Sequence, residues 1–369
     1  MSFPSDFQAA VFDGTGSKLR LGKFSLPRLK VGEVLVRVSC CTLCGSDFHT
    51  YMGRRTGNSP SILGHEIVGI IEDVAMNGGA VLDQYGRPVQ PGDRITWSLV
   101  VSCGSCRLCR RSLPQKCELL FKYGHERFLA GDSPSGGVSQ YCVLRPGTAI
   151  FPVSSLIPDA TAGMASCAAA TVCAVLRSAG PVEDGTSVLI QGAGMLGLVA
   201  GAMLRQKGAS IIAVVDPDPV RLQTAVSFGA SHAVGGYGSS EEIGEQLDRI
   251  TDRRGFDIAL ELSGNSSAME VALPLLAVGG RYVLAGAVYP SRPVNLNAEI
   301  VVRKMLHLIG VHNYEAQDLG TALNFLADQA TTCNKFESLI DARFTLDKVN
   351  EAFEYGQNVR PARVAILPN

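Results

Sequence analysis

Between Cys103 and Cys117 four cysteines follow the pattern C-x2-C-x2-C-x7-C. Four thiolates on one short loop can close a tetrahedral shell around zinc and leave no position for a substrate, which is the structural kind of site. Arg107, Arg110, Arg111 and Lys116 in the same run offset part of the negative charge of Cys103, Cys106, Cys109 and Cys117. No aromatic residue interleaves with them, which argues against a nucleic-acid-binding zinc module. A second set of donors is spread along the chain: Cys44 opens the string CGSDFH, His65 and Glu66 stand in LGHE, and Cys167 stands in MASCAAATVCAV. One histidine and two cysteines leave zinc an open fourth position, where a substrate oxygen can be polarised.

A third constellation points to a nucleotide. Gly192, Gly194 and Gly197 form G-x-G-x-x-G directly after the apolar run VLIQ and before a helical stretch. The first glycine permits the tight turn, the second lets backbone approach a pyrophosphate, and the third allows close helix–strand packing. Met195 and Leu196 open the helix whose amides would face the phosphates. Asp216 ends the next apolar run, nineteen residues beyond Gly197, where a carboxylate takes ribose hydroxyls and repels a 2′-phosphate, favouring NAD over NADP. Arg221, one turn further, could flank an adenine, or contact a phosphate if Asp216 points away.

The elements that must position these groups read as two domains, as a chain of 369 residues suggests. Short β-rich runs such as VLVRVSC at 34–40 and IVGIIEDV at 67–74, broken by Gly and Pro turns, predict an irregular β domain. From about Ala160 an Ala-rich stretch predicts a helix to Ala179; then strands alternate with helices at 187–194, 211–216, 257–263, 281–286 and 306–311, which predicts an α/β fold with a parallel sheet. The expected division is 1–165 for the first domain, 166–311 for the nucleotide domain and 312–369 for a C-terminal return to the first. Hydrophobic residues make up 46% of the chain and charged ones 18%, which excludes disorder as the main state. A net charge of -1 gives no general field for nucleic acid or an anionic membrane, and neither is an expected partner. The N-terminal MSFPSDFQAAVFDG has neither a basic start nor an apolar run, and the clustered cysteines suit a reducing compartment, so a cytoplasmic protein is expected. Cys40 and Cys41 read as core or turn residues, and Cys142 and Cys333 carry no partner pattern.

The order CGSDFH, GHE, four-cysteine loop, Cys167, glycine fingerprint and Asp216 resembles the zinc-dependent medium-chain alcohol dehydrogenases from end to end. The resemblance implies a GroES-like catalytic domain beside a Rossmann domain, two zinc ions per chain, and a dimer or tetramer. It also implies Cys44, His65 and Cys167 as catalytic zinc ligands, Glu66 as an acidic neighbour that can exchange onto the metal, and Asp47 as the carboxylate that orients the ligand histidine. Ser46 would take the substrate proton, His49 would pass it outward, and Arg363 would contact the pyrophosphate. In polyol and threonine dehydrogenases of this family the third ligand position commonly holds Glu or a water, so Glu66 or water stands as the alternative to Cys167, and Cys173 lies close by in sequence.

The strings HTYMGRR, LPQKC and KYGHE resemble a subgroup of alcohol dehydrogenases associated with phosphonate catabolism, which implies an anionic alcohol such as a hydroxyalkylphosphonate; a polyol or threonine-type substrate is the alternative. Met52, Leu99 and YGHERF are candidate pocket residues, whereas Arg54, Arg55, Lys122, His125 and Arg127 read as solvated surface rather than an anion site. A catalytically silent NAD- and zinc-binding sensor is the non-enzyme alternative, and it would be marked by loss of Ser46, Asp47 or His49, all of which are present.

Overall fold

A computed structural model describes residues 4–76, 79–236, 238–332 and 335–369. Cys333 lies outside the described residues. The chain divides into two compact units, Met1–Ala170 with Glu315–Asn369, and Thr171–Tyr314.

The first unit is built on a seven-stranded sheet. Its central strand, Val34–Leu43, pairs antiparallel with Glu66–Val74 on one side and with the closing strand Arg363–Leu367 on the other. Eight of its ten residues, VLVRVSCCTL, are buried, so it shows no polar alternation and reads as an apolar run. Cys40 and Cys41 are fully enclosed there. Cys44 follows this strand directly, and the pairing of Val364 with Leu43 carries Arg363 to the same end of the sheet. A three-stranded sheet of Arg20–Ser25, Asp6–Phe12 and Ser61–Ile62 adds a second layer. Between them Phe7, Val11, Leu35, Leu43, Phe128, Phe353 and Ile366 form an apolar core, each such side chain stabilising the fold by about 1.5–3 kcal/mol on burial. That core makes the ends of these strands stiff platforms for polar groups.

The second unit has a six-stranded, wholly parallel sheet. Across it run His232–Gly235, Ile211–Asp216, Ser187–Gln191, Phe256–Glu261, Leu276–Leu284 and His307–Gly310. In chain order this is 3-2-1-4-5-6, the doubly wound Rossmann arrangement, whose reversal lies beside Ser187–Gln191, the strand leading into the glycine fingerprint. Three elements of this unit escape the sequence reading: the strand His232–Gly235, the helix Ser240–Ile250 with its Ser239/Glu242 capping box, and the short helix Ala298–Arg303. The strand is a four-residue edge with two exposed positions, too short for periodicity to reveal.

The predicted single helix over 160–179 is broken. Asp159–Gly163 is followed by a tight turn at Met164–Ser166, Cys167 adopts φ -136° and ψ -71°, and a new helix runs Ala168–Ala179 at 45° to the first. No single helix among the described residues is long and apolar enough to cross a membrane.

Candidate functional site

The break at Cys167 has a chemical consequence. It presents the thiol of Cys167 to the end of the central sheet, where Cys44 and His65 also arrive, and the donor atoms of all three lie within 4.8 Å of one another. The sulfurs of Cys44 and Cys167 are 4.0 Å apart, close to the edge of about 3.8 Å that a tetrahedron with 2.3 Å zinc–sulfur bonds requires. Two soft thiolates and an imidazole form a donor set that fits zinc and leaves a fourth position. The hydrogen bond shared with Cys167, with Arg363 and His65 nearby, holds the Cys44 thiol well below its ordinary range.

Around these donors lies a buried polar shell. Asp47, on the short helix Gly45–Tyr51, accepts from the Cys44 amide at 2.9 Å through Oδ2. Its Oδ1 accepts from the Gly64 amide and faces His65 Nδ1, both at 3.1 Å. The bond to Nδ1 turns the opposite nitrogen, Nε2, toward the cysteines, where Ser46 Oγ lies 3.3 Å from it. Burial opposes a charged His65, but Asp47 and Cys44 outweigh it and raise the ring to about 10. His49, on the same helix, is pushed the other way by burial and by Arg54.

Glu66 and Arg363 form one buried pair beside the three donors. The guanidinium of Arg363 grips Glu66 with two bonds of 2.8 Å, from Nε to Oε2 and from Nη2 to Oε1, and Thr42 Oγ1 donates to the same carboxylate at 2.6 Å. Glu66 is fully enclosed and stands outside the three-donor set. Arg363 is 5% exposed and directs Nη2 toward Cys44 Sγ at 3.9 Å. Cys173 is also elsewhere, with its thiol 3.9 Å from Met203 Sδ.

The four-cysteine lobe is assembled differently. Cys103, Cys106, Cys109 and Cys117 bring their sulfurs within 4.8 Å, with 3.4 Å between Cys106 and Cys109 and 3.9 Å between Cys106 and Cys117. Backbone amides point at the sulfurs: Cys106 N at Cys103, Cys109 N at Cys106, and Cys103 N and Leu119 N at Cys117, at 3.2 to 3.4 Å. Amides of Ser105 and Cys106 lower Cys103 to about 6, in readiness for metal as a thiolate.

In the second unit the glycine fingerprint caps the helix Met195–Gln206. Gly192 adopts φ +102°, and a Cβ on Gly197 would stand 1.9 Å from the Gly192 carbonyl oxygen, so neither position admits a side chain. Gly194, the N-cap, has open space where a Cβ would be and no side chain capping the helix amides, which leaves the Met195 and Leu196 end available to an anion. Asp216 is 5% exposed; its Oδ2 accepts from Ala193 N at 2.8 Å and its Oδ1 from Asp218 N at 2.9 Å, tying the glycine turn to the neighbouring strand. Arg221 lies 3.7 Å from Asp218.

The basic residues read as surface divide in two. Arg54 and Arg127 are exposed, whereas Arg55, Lys122 and His125 are partly buried, and the ring of His125 lies against that of His65. Burial and the charge of Arg55 lower Lys122 to about 8, and burial and Lys122 hold His125 neutral. Nothing in their sequence spacing reveals this, because the contacts come from a turn folded back onto His65. Of the candidate pocket residues, Leu99 is buried and Met52 half-buried.

Comparison with known proteins agrees with this architecture. Residues 30–155 match the alcohol dehydrogenase GroES-like domain and residues 196–328 the zinc-binding dehydrogenase domain, together more than half of the chain. Sorbitol dehydrogenase of Bacillus subtilis is 28% identical over 380 residues, spanning 99% of this chain and 98% of its own. L-threonine 3-dehydrogenase of Anaeromyxobacter dehalogenans is 28% identical, spanning 92% of each. The crystal structure of an alcohol dehydrogenase from Thermotoga maritima superposes with a TM-score of 0.90 at 28% identity, covering 99% of this chain and 100% of that one.

Proposed function

Because the chain belongs to the zinc-dependent medium-chain alcohol dehydrogenases, we propose that it oxidises a small alcohol to the matching carbonyl, or runs the reverse, with NAD as the hydride acceptor. The observation that carries this reading is the open donor set of Cys44, His65 and Cys167 with Asp47 behind the histidine. Zinc held there supplies Lewis acidity, lowering the pKa of a hydroxyl toward neutrality. Ser46, beside His65 Nε2, is within reach of that position and accepts the proton, and His49, kept neutral by burial and Arg54, passes it on. Asp47 fixes the ring of His65, and the Arg363–Glu66 pair sets the charge around Cys44 without adding a ligand. The four-cysteine lobe holds a second, structural zinc.

In the nucleotide unit the amide end at Gly194, Met195 and Leu196 suits a pyrophosphate. Asp216 still has lone pairs beyond those its two amides use, enough for ribose hydroxyls, and its charge disfavours a 2′-phosphate. NAD is therefore the cofactor, with Arg221 beside the adenosine end, and the assembly is a homodimer or homotetramer.

The substrate we infer is a small anionic hydroxy compound, such as a hydroxyalkylphosphonate. A neutral polyol or a threonine-type substrate is the second reading, favoured by the names of the sorbitol and threonine dehydrogenases the chain resembles. The test is NADH and NADPH formation by the zinc-loaded protein across hydroxyalkylphosphonates, polyols, amino alcohols and simple alcohols. NADH formed fastest from an anionic alcohol supports the first reading, equal or faster turnover of neutral polyols or threonine the second, and no turnover of any alcohol sinks both.

A further inference from the structure

Beside the three-donor centre lies a set of cations that alcohol oxidation by itself does not use. The turn Lys122–Phe128 is folded directly onto the loop that carries His65. The Phe128 amide donates to the Pro60 carbonyl at 2.8 Å, Arg127 bridges Ser61, and Asn58 Nδ2 donates to the His125 carbonyl at 2.9 Å. At Gly124, φ +72°, the approach is so close that a Cβ would stand 2.5 Å from the Gly64 carbonyl oxygen and 3.0 Å from His65 Cβ. This sets the ring of His125 against that of His65, with centroids 5.1 Å apart and the rings tilted by 32°. His125 Nε2 is buried there with no hydrogen-bond partner among the described residues, a desolvation cost of about 1–3 kcal/mol unless something else fills the position.

Lys122 and Arg55 feel each other's charge, and Lys122 also feels Cys167, Cys44 and Asp47. Neither cation has a carboxylate at ion-pair distance among the described residues: the nearby Glu126 is bonded to the Lys122 backbone amide at 2.8 Å. Arg55 is anchored by its own amide, which donates to the His49 carbonyl at 3.2 Å. Two like charges held together on a half-buried wall, beside an unsatisfied imidazole nitrogen, lower stability unless an anion completes them.

We infer that Arg55, Lys122 and His125 form an oxyanion subsite beside the metal centre, built for the phosphonate- or phosphate-type group of a small hydroxy compound. It rests on the reading of that centre as the place of alcohol oxidation and adds the residues that select the substrate. Arg55 and Lys122 supply charge-assisted hydrogen bonds and His125 Nε2 a third, a donor set suited to the oxygens of a tetrahedral anion.

The test is calorimetric titration of the zinc-loaded full chain with methylphosphonate, inorganic phosphate and acetate. It is repeated on Arg55→Met, Lys122→Met and the charge-keeping Lys122→Arg, with zinc content and NAD affinity measured on each. Saturable binding of methylphosphonate or phosphate, weakened about tenfold or more by each Met substitution and largely kept by Lys122→Arg, is the expected result. Preference between the two probes distinguishes a phosphonate from a phosphate ester. Equal affinity of wild type and both Met variants, or no saturable anion binding, overturns the subsite, provided zinc and NAD binding are intact. Binding that is lost in the variants while no alcohol is oxidised by the wild type leaves the subsite standing and removes the alcohol-oxidation reading instead.

Discussion

The two cysteine-rich centres of the first unit draw on the same chemistry and are built in opposite ways. The lobe takes Cys103, Cys106, Cys109 and Cys117 from one loop, closes its shell with sulfur alone, and surrounds the sulfurs with amides of that same loop. The second centre takes Cys44, His65 and Cys167 from three separated elements, stops at three donors, and is buttressed by side chains: Asp47 behind His65, Ser46 in front, and the Glu66–Arg363 pair alongside. A closed local shell stabilises a loop that has little core of its own. An open, distributed one depends on the fold and leaves a coordination position for chemistry.

If this contrast is right, damage to the two centres separates in kind. The largest effect on stability is expected from the lobe. Cys106→Ala should lose one zinc per chain and lower the thermal midpoint by about 10 °C or more, since metal binding there is folding free energy. A smaller shift than the one caused by Cys44→Ala would break the comparison. Next comes Arg363→Met, which strands the enclosed Glu66 carboxylate and should cost about 3–5 kcal/mol in denaturant unfolding. The double substitution with Glu66→Gln should recover much of that loss, and a purely additive result would show that the pair is not coupled.

Asp47→Asn sharpens the contrast further. The amide keeps the shape but loosens the orientation of His65, so zinc affinity at the open centre or turnover should fall about 10–100-fold while the lobe zinc stays. The smallest expected effect is on pH. Lys122 is charged below about 8 and neutral above it, because burial and Arg55 lower it, with Cys167, Cys44 and Asp47 pulling the other way and His125 alongside. Affinity for sulfate, whose charge is constant over this range, should therefore weaken by up to about tenfold between pH 7 and pH 9, and Lys122→Arg should flatten the profile.

The same distinction between local and distributed explains what could be read from the chain alone. Cys103 to Cys117 and Gly192 to Gly197 are legible because the chemistry needs a fixed short spacing, and their geometry follows from a loop or one strand–turn–helix. The parallel sheet is legible from its apolar runs, but the edge strand His232–Gly235 is too short and too exposed to announce itself. Cys167 lies in a stretch whose alanines predict an unbroken helix, and only tertiary packing reveals the break that presents its thiol. The Glu66–Arg363 pair joins residues 297 positions apart, a pairing created by the closing strand and invisible to any spacing argument. His125 looks like an ordinary polar loop residue until the turn at Gly124 lays it against His65.

The central claim, that the open three-donor centre is where zinc does chemistry, is tested most directly by zinc stoichiometry and NAD-linked turnover measured together on wild type and Cys44→Ala. Two zinc ions per chain in the wild type, one in the variant, and a loss of turnover of about a thousandfold or more with NAD binding retained is the result expected. A Cys44→Ala protein that stays active, or a fully active wild type that holds zinc only in the lobe, would contradict it.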